Sequence, residues 1–277
     1  MIAPAPLAPA PDDETLVAQA VAGNRRALET LLKRHQDYVY NLALRLFLHP
    51  DDALDATQEV LIKVVTSLKT FGGKSQFRTW LYRIVVNYFL NSPARRYEQL
   101  FDRGANLSAL PHAAAADEAT EHAASEAAVE EVRVLCSMAM LLCLSRDQRL
   151  LYVIGEIFGA DHTLGAELFG LTPGNYRVRL HRAKADLLNY VSGKCGLINP
   201  QNPCRCPKKA RALVQQGIVD PSRLLFNQPY TQKVAQLVHA RKDPVSDDIQ
   251  LRLQALFRDS PYQVQQELDE IFAKLLP

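Results

Sequence analysis

A chain of 277 residues, 48% hydrophobic and 22% charged, can bury a sizeable core and is too apolar for wholesale disorder. With 12 Gly and 16 Pro it is neither collagen-like nor of low complexity, and its longest uncharged apolar run, residues 134–144, falls short of the roughly 18 to 20 residues that span a bilayer. The formal charge of +2 hides an alternation of blocks that points toward a polyanion touched at two places. Residues 12–59 hold 9 acidic and 5 basic side chains, 60–97 hold 7 basic and none acidic, 98–131 hold 8 acidic and 1 basic, and 171–211 hold 9 basic and 1 acidic.

In chain order, residues 1–12 read as a disordered tail. The segment MIAPAPLAPAP has no basic residue ahead of its apolar part, which makes a poor secretory leader and leaves the cytoplasm as the expected compartment. Residues 13–92 carry apolar side chains at three and four spacing and read as a small domain of four helices. Within it, a helix over 50–68 places Asp52, Asp55 and Glu59 on one stripe and Val60, Leu61, Val64 and Leu68 on the opposite one, giving an acidic ridge over a core face. Gly72 and Gly73 make a turn, followed by Lys74 and Ser75. The next helix has a predicted core stripe of Phe77, Leu81, Ile84 and Tyr88 beside a second stripe of Trp80, Arg83 and Asn87. Aromatic rings interleaved with cations suit single-stranded nucleic acid, whose bases stack on rings while its phosphates attract cations. Trp80 as core filler is the competing reading.

Residues 93–128, rich in Ala, Glu and small polar side chains with Pro93 and Pro111, have the composition of a flexible acidic linker. A second helical domain follows over 129–193. Its segment TLGAELFGLTPGNYRVRLHRAKADLL has the form of a helix-turn-helix: a short helix with small Ala166, a turn at Gly170, and a longer helix capped by Thr172 with Pro173 in its first turn. The stripe Tyr176, Leu180, Ala183 and Leu187 is apolar. Asn175, Arg177, Arg179, His181 and Arg182 turn away from it, where a recognition helix meets base edges. A basic amphipathic helix that binds a protein partner is the alternative.

Residues 194–277 form an extension that begins with a cysteine cluster and continues through three expected helices near 228–241, 246–258 and 261–275. Cys136 and Cys143 lie seven apart on an apolar helix and read as small buried thiols. Cys195, Cys204 and Cys206 are spaced Cys-x8-Cys-x-Cys between prolines, and three readings stay open for them: a site for zinc or another soft metal, redox-sensitive thiols, or an inert loop. A structural zinc site takes four ligands, so His181, His239 or a partner would have to supply the fourth. No cofactor is otherwise required. No paired carboxylates or nucleophile-base motif mark an enzyme.

The segment DDALDATQEVLIKVVTSLKTFGGKSQFRTWLYRIVVNYFLN resembles region 2 of bacterial RNA polymerase sigma factors of the extracytoplasmic-function type, and the helix-turn-helix segment resembles region 4 of the same family in the same order. The resemblance implies an all-α, non-enzymatic transcription initiation factor. In it, Asp52, Asp55, Gln58 and Glu59 contact the β′ clamp helices of core polymerase. Lys74, Ser75, Phe77, Arg78, Trp80, Tyr82, Arg83 and Asn87 take the −10 promoter element. Asn175, Arg177, Arg179, His181 and Arg182 read the −35 element, and region 4 also meets the β flap. An anti-sigma factor or other regulator is a further candidate partner. Leu54, Val86 and Asn91 depart from the family's usual Glu, Arg and Asp. Thr57, on the acidic helix, is a candidate phosphorylation site beside Leu54. The rival reading is a helix-turn-helix regulator, metal- or redox-responsive, that acts without polymerase.

Overall fold

The computed structural model describes residues 11–95 and 125–224, and every regular element among them is helical. The expected tail over 1–10, most of the linker, and the helices placed beyond residue 224, with His239, lie outside the described residues. The N-terminal unit comprises α1 (Asp13–Val21), α2 (Arg25–Phe47), α3 (Pro50–Ser67) and α4 (Phe77–Asn91). The C-terminal unit comprises α5 (Glu126–Met140), α6 (Arg146–Tyr152), α7 (His162–Leu168), α8 (Pro173–Ser192) and α9 (Cys206–Gln215).

Helix starts follow from side chains that satisfy first-turn amides left without intrahelical partners. Asp12 accepts from the Thr15 amide at 2.8 Å, Asn24 from Ala27 at 3.2 Å, and Asp161 from both Thr163 and Leu164 at 2.8 Å. Ser145 and Gln148 form a reciprocal capping box at α6. Thr172 accepts from Asn175 at 3.3 Å with Pro173 opening α8, as the sequence predicts. The turn into α8 passes through Gly170 at φ +61°, a left-handed conformation that a side chain would strain.

The two units are not separate bodies. One continuous apolar core runs from Leu16 and Leu31 through Val85 and Phe89 to Leu150, Ile154 and Val191. Tyr38 of α2 meets Tyr82 edge-on at 5.2 Å and Phe158 of the C-terminal unit at 5.0 Å. Arg146 donates to the Phe89 and Ser92 carbonyls at 2.8 and 3.0 Å, supplying a cation and two donors to the α4 C-terminus. The enclosed apolar side chains at this junction contribute about 1.5–3 kcal/mol each, so burial holds the units together. The exposed ion pair nearby, Arg83 with Glu167, adds only about 0–1 kcal/mol.

α4 is therefore packed on two sides, and its buried set is wider than one amphipathic stripe. Phe77 and Leu81 are buried as expected, but Tyr82, Val85, Val86 and Phe89 are buried too, while Ile84 and Tyr88 are only half-buried. α3 keeps the expected division, with Val60, Leu61, Val64 and Leu68 in the core.

Candidate nucleic-acid interface

The helix-turn-helix is built around Tyr176, whose ring is fully enclosed. An added Cβ at Gly165 would stand 2.1 Å from the Tyr176 Cζ, and one at Gly155 would stand 2.7 Å from its hydroxyl oxygen. Both helices can close on the ring only because those positions lack side chains. Burial also pushes the Tyr176 hydroxyl pKa upward, with the Glu156 and Asp161 charges acting in the same direction. With Tyr176, Leu180, Ala183 and Leu187 held inward, Asn175, Arg177, Arg179, His181 and Arg182 are all exposed. Val178 shares that outer face and is 51% exposed. Its helical position between Arg177 and Arg179 was the available signal, and a methyl-bearing side chain suits contact with a thymine methyl.

The other expected surface is partly covered. Lys74, Arg78 and Asn87 are exposed, and Ser75, Trp80 and Arg83 are half-buried. Trp80 packs with Phe71 and Phe77 at ring separations of 5.5 and 5.6 Å, which combines the two roles the sequence left competing: one part of the indole belongs to an aromatic cluster and the rest reaches solvent. The Arg78 guanidinium lies over Tyr38, 4.3 Å from the ring centre. Arg83 is ion-paired with Glu167 of α7, so the first helix of the helix-turn-helix reaches one of the cations expected to meet DNA. Phe77 and Tyr82 are 1% and 3% exposed, and neither offers a ring face to a base in this arrangement. Burial on the second side of α4, absent from a single-helix projection, is the reason.

On α3, Asp55 and Glu59 are exposed, and Gln58 is half-buried. Asp52 is half-buried, 3.6 Å from the Arg95 guanidinium. Leu54 packs against the core. Thr57 is fully enclosed, and its hydroxyl donates to the Ala53 carbonyl at 2.7 Å. A kinase cannot reach it there, so Thr57 is not a phosphorylation site in this fold, contrary to the expectation from its place on the acidic helix.

The cysteines are regrouped. α5 ends at Met140 and a short 3-10 turn over Leu141–Cys143 follows, so Cys136 and Cys143 do not continue along one helix. Cys136 instead lines a cavity of about 240 Å³ together with Cys195, Cys204 and Cys206. No thiol is in a disulfide. Burial pushes the Cys136 thiol up to about 12 and raises Cys195 and Cys206 as well. His181 lies on the exposed face of α8 and not at this cavity. Among the described residues, no three ligating side chains already stand close enough together to hold an ion.

The molecule is all-helical, with an exposed cationic face on α8, a second aromatic and cationic helix in α4, and acidic side chains along α3, a set of surfaces suited to a polyanion and to a protein partner. Comparison with known proteins narrows this reading. Residues 31–98 match the family model for sigma-70 region 2. The chain is 28% identical over 185 residues to the extracytoplasmic-function RNA polymerase sigma-E factor of Haemophilus influenzae, a match covering 65% of this chain and 95% of that one. It is 32% identical over 166 residues to the extracytoplasmic-function sigma factor SigE of Mycolicibacterium smegmatis, covering 59% and 61%. Among solved structures, CnrH in complex with the cytosolic domain of CnrY aligns with a TM-score of 0.48 and 24% identity over 65% of this chain and 97% of that one. Residues 31–98 thus match sigma-70 region 2, and over most of the described length the chain is similar to extracytoplasmic-function RNA polymerase sigma factors.

Proposed function

We propose that the chain is a sigma factor of the extracytoplasmic-function type, which directs promoter-specific transcription initiation and divides its work between the two helical units. Residues 13–92 act as region 2: Asp52, Asp55, Gln58 and Glu59 dock on the β′ clamp helices of core polymerase, and Lys74, Ser75, Arg78, Trp80, Arg83 and Asn87 capture the −10 element. Residues 129–193 act as region 4: Asn175, Arg177, Arg179, His181 and Arg182, joined by Val178, read the −35 element, and the same unit meets the β flap. Residues 93–128 link them. The protein works in the cytoplasm without a chemical step of its own, and initiation requires no cofactor from it. A polymerase-independent regulator would leave the exposed Asp55 and Glu59 ridge without a role.

The observation that carries this reading is the α8 surface, where five polar or cationic side chains face solvent over a sealed apolar stripe. Arg at such positions bonds guanine through two donors and discriminates by about 1–3 kcal/mol per good pair. Region 2 acts differently. Unstacking a base costs a few kcal/mol, and capture against the exposed part of Trp80 offsets some of it. In the packed arrangement Arg83 is engaged by Glu167, so promoter capture by α4 requires α7 to move off it. A regulator of the anti-sigma kind that stabilised the packed arrangement would oppose initiation.

The test is reconstitution of the full chain with core polymerase on genomic promoter fragments. Co-elution with core polymerase and discrete promoter-dependent transcripts are expected. Failure to bind core polymerase would overturn the assignment of the acidic ridge.

A further inference from the structure

Four of the chain's five cysteines line one cavity, although they come from three separate places in the fold. Cys136 lies on α5, Cys195 follows α8, Cys204 ends the loop that leads to α9, and Cys206 is the first residue of α9. The loop that carries two of them is braced by its own polar groups. The Asn202 amide donates to the Ser192 and Cys195 carbonyls at 2.8 and 3.1 Å, and Asn199 donates to the Ser192 carbonyl at 3.2 Å. Arg205 donates to the Cys204 and Pro200 carbonyls at 2.9 and 3.1 Å. Gly196 lies so close to the Cys204 carbonyl that a Cβ there would stand 2.0 Å from its oxygen. This contact ties the backbone beside Cys195 to that of Cys204.

The loop is anchored in the main core by Cys195 and Ile198. α9 is held to α5 by the small cluster of Val129, Val132, Ala210, Leu213 and Val219. Small modules with few apolar side chains of their own commonly gain stability from a metal. The charges are also suitable. Arg133, Lys194 and Lys209 line the cavity, Arg133 being also paired with the Glu130 carboxylate, and these cations would balance part of the charge of a thiolate cluster.

We propose that Cys136, Cys195, Cys204 and Cys206 are the four ligands of a structural site for a tetrahedral soft divalent cation, zinc by ligand chemistry, which clamps α9 and its loop to α5. Binding breaks four S–H bonds, releases four protons to solvent and forms four metal–sulfur bonds, leaving a dianionic centre with no change in oxidation state. Rotation about the cysteine Cα–Cβ bonds draws the sulfurs inward from their present separation. Cys143, outside the cavity, takes no part.

Metal analysis of the full chain, purified under reducing conditions without chelator, tests this independently of polymerase binding. One zinc per chain is expected, and cobalt substitution should give the visible spectrum of tetrahedral thiolate coordination. Cys136→Ser should lose the metal to a competing chelator that leaves the parent loaded, whereas Cys143→Ser should retain it. Because Cys136→Ser could fail to fold, the unaltered chain is also alkylated with and without zinc and the labelled cysteines are mapped. Zinc should protect 136, 195, 204 and 206 and leave 143 unprotected. Metal-free protein that binds neither zinc nor cobalt with its thiols reduced would overturn the site. So would protection of only three cysteines, or disulfide formation among the four in place of metal uptake.

Discussion

α4 and α8 are the two helices assigned to DNA, and the fold treats them in opposite ways. α8 lies at the edge of the molecule with one buried stripe, and every polar residue predicted to leave that stripe does so. α4 lies between two units, gives up Phe77 and Tyr82 to the core, and shares Arg83 with α7. An amphipathic helix packed along one side obeys its own periodicity, whereas a helix packed on two sides buries residues its periodicity leaves outside. The proposed −35 surface is thus displayed as folded, and the proposed −10 surface would need a rearrangement to be free.

The sharpest way to break this contrast is to remove the pivot of α8. Tyr176→Ala should destabilise the C-terminal unit by about 3–5 kcal/mol, read by denaturant unfolding, and should abolish promoter recognition. An unchanged midpoint would mean that the ring is not the support of the motif. At the surface of α8, Arg177→Ala and Arg182→Ala should each cost about 1–3 kcal/mol in binding to the preferred promoter and much less on unrelated DNA. Equal losses on both DNAs, in a titration at fixed salt, would reduce them to phosphate contacts.

On α4 the expected signature is inverted. Glu167→Gln should alter folding stability by less than about 1 kcal/mol, since the pair is exposed, yet strengthen binding of single-stranded −10 DNA by releasing Arg83. Fluorescence anisotropy with a labelled oligonucleotide would detect this, and unchanged affinity would separate the ion pair from the DNA surface.

The smallest effect concerns pH. His35 is buried with its Nε2 2.8 Å from Asp13. Burial holds its pKa below the ordinary value of 6.5, against the opposing pull of the Asp13 carboxylate. The unfolded chain therefore binds the proton more readily, and the contribution to stability is lost as pH falls through about 6.5. Melting temperatures measured between pH 8 and pH 5.5 should decline less in His35→Gln than in the parent. Parallel curves would assign the decline to other groups.

Much of the architecture is legible because helix signals are local. The cap at Thr172 with Pro173, the turn at Gly170, and the stripe of Tyr176, Leu180, Ala183 and Leu187 each depend on neighbours within a few residues. The acidic ridge of α3 is legible for the same reason. Three features were not. Thr57 looked accessible beside Asp55, yet it is enclosed by packing from other elements. Cys136 and Cys143 looked like a pair because their separation fits two helical turns, but α5 stops between them. The partnership of Cys136 with Cys195, Cys204 and Cys206 spans dozens of residues, and no periodicity carries that information.

The order of amino acids by itself determined the turn at Gly170 and the start of α8, which stripe of α3 and of α8 is apolar, and where charge of each sign is concentrated. These are properties of short segments, set by backbone geometry and the chemistry of adjacent side chains. Tertiary structure alone decided that Tyr82 and Phe89 join a core common to both units, that Glu167 takes hold of Arg83, and that four distant thiols face one cavity. Those outcomes depend on which surfaces meet, and burial against a distant partner outweighs the preference of any one helix.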